Sequence, residues 1–132
     1  MKKVLIIYHS GSGSSRTVAE ILGEVLSRRV EVAIERIRKD YDYSKLHQYE
    51  LIVLGFPTYF FRPSLAMINF LQNIPETKKP RLVFVFATCA ATTGSSYKII
   101  RAILEKKNYR MCGFVEIRGP VSDFALTPLG FS

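Results

Sequence analysis

The chain is short of three things: cysteine, acidic side chains and long apolar runs. Cys89 and Cys112 are its two cysteines and form no CxxC pair. They can therefore hold neither an iron–sulfur cluster nor a structural zinc, and they read as reduced, unpaired thiols. No segment reaches the roughly 18 consecutive apolar residues that a membrane-spanning helix needs. Met1-Lys2-Lys3 and the apolar run behind it are cut off by His9 too early for a secretion signal, so the expected location is cytoplasmic. Acidic residues number 11 against 19 Lys and Arg, a formal net charge of +8. The basic residues gather at 28–29, 36–39, 78–81 and 106–110 and read first as solvated helix ends and loops. Their excess also suits an acidic protein partner, or loose nucleic-acid contact through simple electrostatics. No basic motif interleaved with aromatics supports sequence-specific nucleic-acid recognition.

The loop at residues 9–15 is defined as much by what is missing. It has no Gly-Lys-Ser/Thr ending, which argues against a Walker loop for nucleoside triphosphates. Gly11 and Gly13 are not followed by the third glycine of a dinucleotide fingerprint. The loop contains neither Cys nor Asp to act as the nucleophile of a hydrolase or phosphatase. A receiver-like phosphoacceptor would need carboxylates at the strand ends, where His9-Ser10 and Gly55 stand instead. His9 and His47 read as structural or solvent-exposed.

What the loop does contain is small hydroxyl residues and glycines between a buried strand and a helix. Val4-Leu5-Ile6-Ile7-Tyr8 leads into His9-Ser10-Gly11-Ser12-Gly13-Ser14-Ser15, and Val18, Ile21, Leu22, Val25 and Leu26 then recur at helical spacing. Ser14 or Ser15 can cap that helix. Unpaired amides, hydroxyl donors and the positive end of a helix dipole converge, which suits a phosphate. A monophosphate held by Ser10, Ser12, Ser14, Ser15 and the amides fits best.

Strand and helix signals alternate through the rest of the chain. Residues 3–8 read as a strand buried on both faces, 30–37 as an edge strand, and 51–55 and 81–87 as further buried strands, with a last strand at 114–118. Helices are expected from Pro63 at its first position to about Asn73, with Leu65, Ile68, Phe70 and Leu71 inward. A third helix is expected over 95–107, with Tyr97, Ile100, Ile103 and Leu104 inward. One or two helical turns fit at 44–48. The series implies one α/β domain over 1–132, a five-stranded parallel sheet of order 2-1-3-4-5 with helices on both faces. The ligand site of such a sheet lies at the carboxyl ends of strands 1 and 3, where loops 10–15, 57–62 and 88–94 converge.

The second loop, Pro57-Thr58-Tyr59-Phe60-Phe61-Arg62, brings three consecutive aromatics that cannot all point inward, so one can stack on a planar ring. The third, Thr88-Cys89-Ala90-Ala91-Thr92-Thr93-Gly94, offers amides and hydroxyls to a ring edge. Cys89 is also a weak candidate for a reactive thiol, because it lies near a helix start. A phosphate cradle, an aromatic wall and a polar edge together describe flavin mononucleotide (FMN).

On these residues the sequence resembles the flavodoxin-like family. Tyr8 to Ser15 is similar to its hydroxyl-rich phosphate loop, and Gly55-Phe56-Pro57-Thr58-Tyr59 and Phe84-Val85-Phe86-Ala87-Thr88-Cys89 are similar to its second and third loops. The likeness looks greatest to flavodoxin portions fused to ferredoxin-type domains, where Arg-Pro after the aromatic loop (Arg62-Pro63 here) is familiar. The resemblance implies an electron-transfer protein, a carrier or a reductase module, with the carrier preferred over a reductase with its own substrate. Ser10, Gly11, Ser12, Gly13, Ser14 and Ser15 would hold the FMN phosphate. Pro57, Thr58, Tyr59 and Phe60 would line the ring, with Thr88, Cys89 and Gly94 opposite.

The family's Asn-Thr in the phosphate loop is replaced by Ser14-Ser15. The basic charge implies a redox partner unlike those of acidic family members. Residues 121–132, with Pro128 and Gly130, do not read as the family's final helix. Its absence would leave part of one sheet face to be covered by self-association or a partner, or would mark a truncated protein. The competing expectation is a flavodoxin-fold interaction or regulatory domain without a cofactor.

Overall fold

The computed structural model describes residues 3–118, apart from 12, 60, 61, 91 and 93. The elements are β1 (Lys3–Tyr8), α1 (Ser14–Leu26), β2 (Glu31–Arg36), a short 3-10 turn (Tyr43–Gln48), β3 (Leu51–Tyr59), β4 (Arg62–Pro63), α2 (Leu65–Asn73), β5 (Arg81–Cys89), α3 (Ser96–Lys106) and β6 (Tyr109–Arg118). The main strands are parallel in the order β2-β1-β3-β5-β6, the expected 2-1-3-4-5 once the two-residue β4 is set aside. Among the described residues no helix is long and apolar enough to cross a membrane.

Each central strand is apolar on both faces, so alternate side chains feed two cores. Leu5, Ile7, Ile52, Leu54, Phe56, Val83, Val85 and Ala87 join Met67, Phe70 and Leu71 of α2 and Ile100 and Leu104 of α3. Val4, Ile6, Val53 and Phe86 join Val18 and Ala19 of α1 on the opposite face. Farther along that face two phenylalanines lie over glycines of neighbouring strands. Phe86 pairs with Gly55 and Phe84 with Gly113 in register. A β-carbon at Gly55 would overlap the Phe86 ring, and one at Gly113 would come within 2.6 Å of the Phe84 ring.

Several local expectations are corrected. The buried line of α1 is Ser15, Val18, Ala19 and Gly23, small residues that let the helix lie close to the sheet. The helix is rotated accordingly, and Val25 is exposed. β3 runs on through Pro57, Thr58 and Tyr59 and folds back antiparallel onto β4, Thr58 opposite Pro63 and Tyr59 opposite Arg62. Pro63 is thus the last residue of a hairpin and not the first of a helix. Ser64 caps α2, its Oγ accepting from the Met67 amide at 3.4 Å, and Leu65 is exposed. Tyr97 is likewise exposed, its ring edge-on to Phe114.

β6 starts five residues earlier than expected. Asn108 takes a left-handed φ of 67° and stops α3, while Tyr109 is buried with its hydroxyl donating to the Pro75 carbonyl at 3.0 Å. Cys112 is the extra residue at a register shift between β5 and β6 and is exposed. The expectation for 121–132 lies outside the described residues.

Candidate functional site

The carboxyl ends of β1, β3 and β5 come together, and a network of hydroxyls joins them. Thr88, buried at the end of β5, sits at its centre: its hydroxyl is 3.2 Å from Ser15 Oγ, and its carbonyl accepts from Thr58 Oγ1 at 3.0 Å. His9 belongs to the same frame, its amide donating to the Gly55 carbonyl at 2.9 Å and its Nδ1 lying 2.9 Å from Ser64 Oγ. The Ser64 amide in turn donates to the Pro57 carbonyl at 3.0 Å. Burial, and then the nearby Arg36 guanidinium, lower the His9 pKa, so its imidazole stays neutral at neutral pH. His9 is a brace between loops.

The phosphate-loop candidate is shaped from within. The Gly13 amide donates to Ser10 Oγ at 2.9 Å, and Thr17 Oγ1 donates to the Gly13 carbonyl at 3.0 Å. Gly13 has φ 95° and is itself the N-cap, with no side-chain hydrogen bond capping the helix. That corrects the expected cap at Ser14 or Ser15, both of which lie inside the first turn. Ser15 is fully buried, its hydroxyl turned to Thr88. The first-turn amides of α1 therefore have no side-chain cap, and an anion would complement them and the helix dipole.

Sequence reasoning missed one residue here. Arg36, counted among solvated charges, ends β2 directly beside Tyr8 in register, and its Nη2 donates to the Ser10 carbonyl at 3.4 Å. The 2-1-3 strand order was the available signal, because it sets the end of the second strand against the first loop.

On the other side of the loop Tyr59 is half exposed at the end of β3. A β-carbon at Gly11 would come within 2.6 Å of the Tyr59 hydroxyl, so the aromatic wall and the loop touch. Pro57 is buried in β3 and paired with Thr88. Gly94 has φ 57°, and its amide donates to Thr92 Oγ1 at 3.2 Å. Cys89 turns toward β6, its Sγ donating to Glu116 Oε1 at 3.5 Å and to the Ile117 carbonyl at 3.8 Å. Burial and the Glu116 carboxylate push this thiol up to about 11, which leaves it protonated and poorly nucleophilic at neutral pH. Ser12 and Phe60, as well as Phe61, Ala91 and Thr93, lie outside the described residues.

Amides, hydroxyls and a guanidinium on one side, and an exposed tyrosine beside a threonine-rich edge on the other, form a donor set suited to a phosphate-bearing planar ring. Known proteins agree at the level of family and fold. The family model described as flavodoxin domain matches residues 5–116. A flavodoxin from the domain Archaea is 20% identical with a TM-score of 0.72, the match covering 97% of this chain and 93% of that one. Flavodoxin 1 from Bacillus cereus is 22% identical with a TM-score of 0.70, covering 95% and 91%. Two-electron reduced Megasphaera elsdenii flavodoxin is 18% identical with a TM-score of 0.76, covering 86% and 85%. No curated protein matches the sequence.

Proposed function

The chain belongs to the flavodoxin-domain family, and from that premise we propose that it binds FMN and passes electrons between protein partners. The observation that carries this reading is the uncapped start of α1 at left-handed Gly13, braced through Ser15 and Thr88 to the loop that would meet the ring. Bound FMN would supply one- or two-electron redox chemistry that no side chain here can perform.

The protein's part is binding and orientation. Ser10, Gly11, Ser12, Gly13, Ser14 and Ser15 would hold the phosphate through amides and hydroxyls. Pro57, Thr58, Tyr59 and Phe60 would flank the ring on one side, with Thr88, Cys89 and Gly94 on the other. The Thr58–Thr88 bond at 3.0 Å keeps those two walls in fixed register. Neutral His9 holds the first loop to the start of α2 without adding charge. The redox chemistry is left to the flavin, and the protein is a carrier or a reductase module, the carrier being the favoured reading. The net charge of +8 supports an acidic partner.

The test is a titration of purified protein with FMN, read by quenching of flavin fluorescence and by the visible spectrum. Saturable one-to-one binding is expected, and protein that leaves the flavin spectrum unchanged refutes the reading. The alternative, an interaction domain without cofactor, draws on one contact: the Tyr59 hydroxyl lies against Gly11, so the aromatic wall closes on the loop that would hold the phosphate. The same titration separates the two.

A further inference from the structure

Among the described basic side chains, Arg36 is the one hydrogen-bonded to the phosphate loop. Arg16, on the first turn of α1, is bonded to Glu20 at 2.8 Å. Arg118, at the end of β6, pairs with Glu116 at 3.2 Å. Among the described residues Arg36 has no carboxylate within ion-pair distance. Its contact with the Ser10 carbonyl, at 3.4 Å, is long for a charged donor. A guanidinium carries five N–H donors in a planar fork that matches phosphate oxygens, so most of its capacity is unspent. Parallel pairing of β2 with β1 brings it there, since Tyr8 and Arg36 are the last residues of their strands and stand opposite one another.

The rest of the cradle is uncharged. The amides at the start of α1 offer only about half a positive charge through the helix dipole, and the neighbouring His9 is neutral. A monophosphate ester brings a charge of about −1.5 to −2 at neutral pH.

We infer that Arg36 is a specificity-determining residue of this site, the contact by which the protein selects a phosphorylated flavin over the same ring system without phosphate. The inference rests on the proposed FMN site and adds to it a cation supplied from β2. The amides and hydroxyls set the geometry of the phosphate, and the Tyr59 region receives the ring of either ligand. Arg36 contributes the part of the affinity that depends on the ligand's charge.

The experiment compares FMN with riboflavin, which shares the ring and ribityl chain and lacks the phosphate. Dissociation constants are measured by fluorescence quenching for the wild-type chain, Arg36→Gln and Arg36→Lys, at low and at high ionic strength. Thermal melts check that each variant folds, as expected for a residue that is exposed and at the end of an edge strand. In the Gln variant the Kd for FMN is expected to rise about tenfold at low salt, as for a charge-assisted contact moderated by solvent, while the Kd for riboflavin stays put. The Lys variant keeps most of the preference. Added salt narrows the wild-type preference and leaves that of the Gln variant flat. Equal losses for both flavins, or no loss for FMN, overturn the assignment of Arg36 while leaving the FMN site standing. A wild-type chain that binds neither flavin overturns both.

Discussion

Gly13 carries the strongest backbone requirement at the site, because φ 95° is a conformation that a residue with a β-carbon enters at a cost of about 1–2 kcal/mol. Gly13→Ala is expected to lose about that much stability in urea denaturation and to weaken FMN binding, since the Ser10–Gly13 bond shapes the loop. At Gly11 the opposing atom is the far end of a half-exposed tyrosine, so Gly11→Ala should leave stability nearly unchanged and alter flavin quenching by moving Tyr59.

His9 adds a pH dependence whose sign follows from its lowered pKa. The native state takes up this proton less readily than the unfolded chain. The contribution is thus full above the ordinary histidine value of 6.5 and is lost as pH falls through the lowered native value. Unfolding free energy should decline as pH falls below about 6.5, and His9→Gln should flatten that decline. The same slope in both proteins would count against the assignment. Alkylation followed by mass spectrometry should label exposed Cys112 at neutral pH and spare Cys89, which is buried and held protonated.

Among the elements, α2 shows how a local signal can be displaced by one or two positions. Pro63 suits the first position of a helix, but it is recruited to pair with Thr58, and Ser64 takes over as the cap. Removing the Ser64 hydroxyl breaks both the cap and the brace to His9. Ser64→Ala is therefore expected to cost about 1 kcal/mol, measurable as a lower denaturation midpoint with an unchanged slope. Strand cores were legible because runs such as Val4 to Ile7 are apolar without interruption. The continuation of β3 through Pro57–Tyr59 was not, because it depends on Thr88 beside it and on the returning β4. Nor was the early start of β6, where Tyr109 looks like part of a basic loop until its ring is seen to join the core and its hydroxyl to reach the Pro75 carbonyl.

Across the whole molecule the sheet is least tolerant where a phenylalanine ring lies over a glycine of the neighbouring strand. Gly55→Ala would force a methyl into the Phe86 ring at the centre of the sheet, an overpacking expected to cost about 1–3 kcal/mol. Leu65→Ala, at an exposed position, should stay within about 0.5 kcal/mol of the parent; the pair can be read in one set of denaturant curves. Strand alternation, the parallel topology and the place of the ligand loops were determined by the sequence, because apolar periodicity and glycine-serine bends are local and the handedness of crossovers leaves few ways to join them. The tertiary structure alone decided which face of α1 is buried, which residue caps each helix, that Cys89 turns to β6, and that Arg36 reaches the phosphate loop. Each of these depends on how closely distant segments approach one another, and spacing along the chain does not encode that distance.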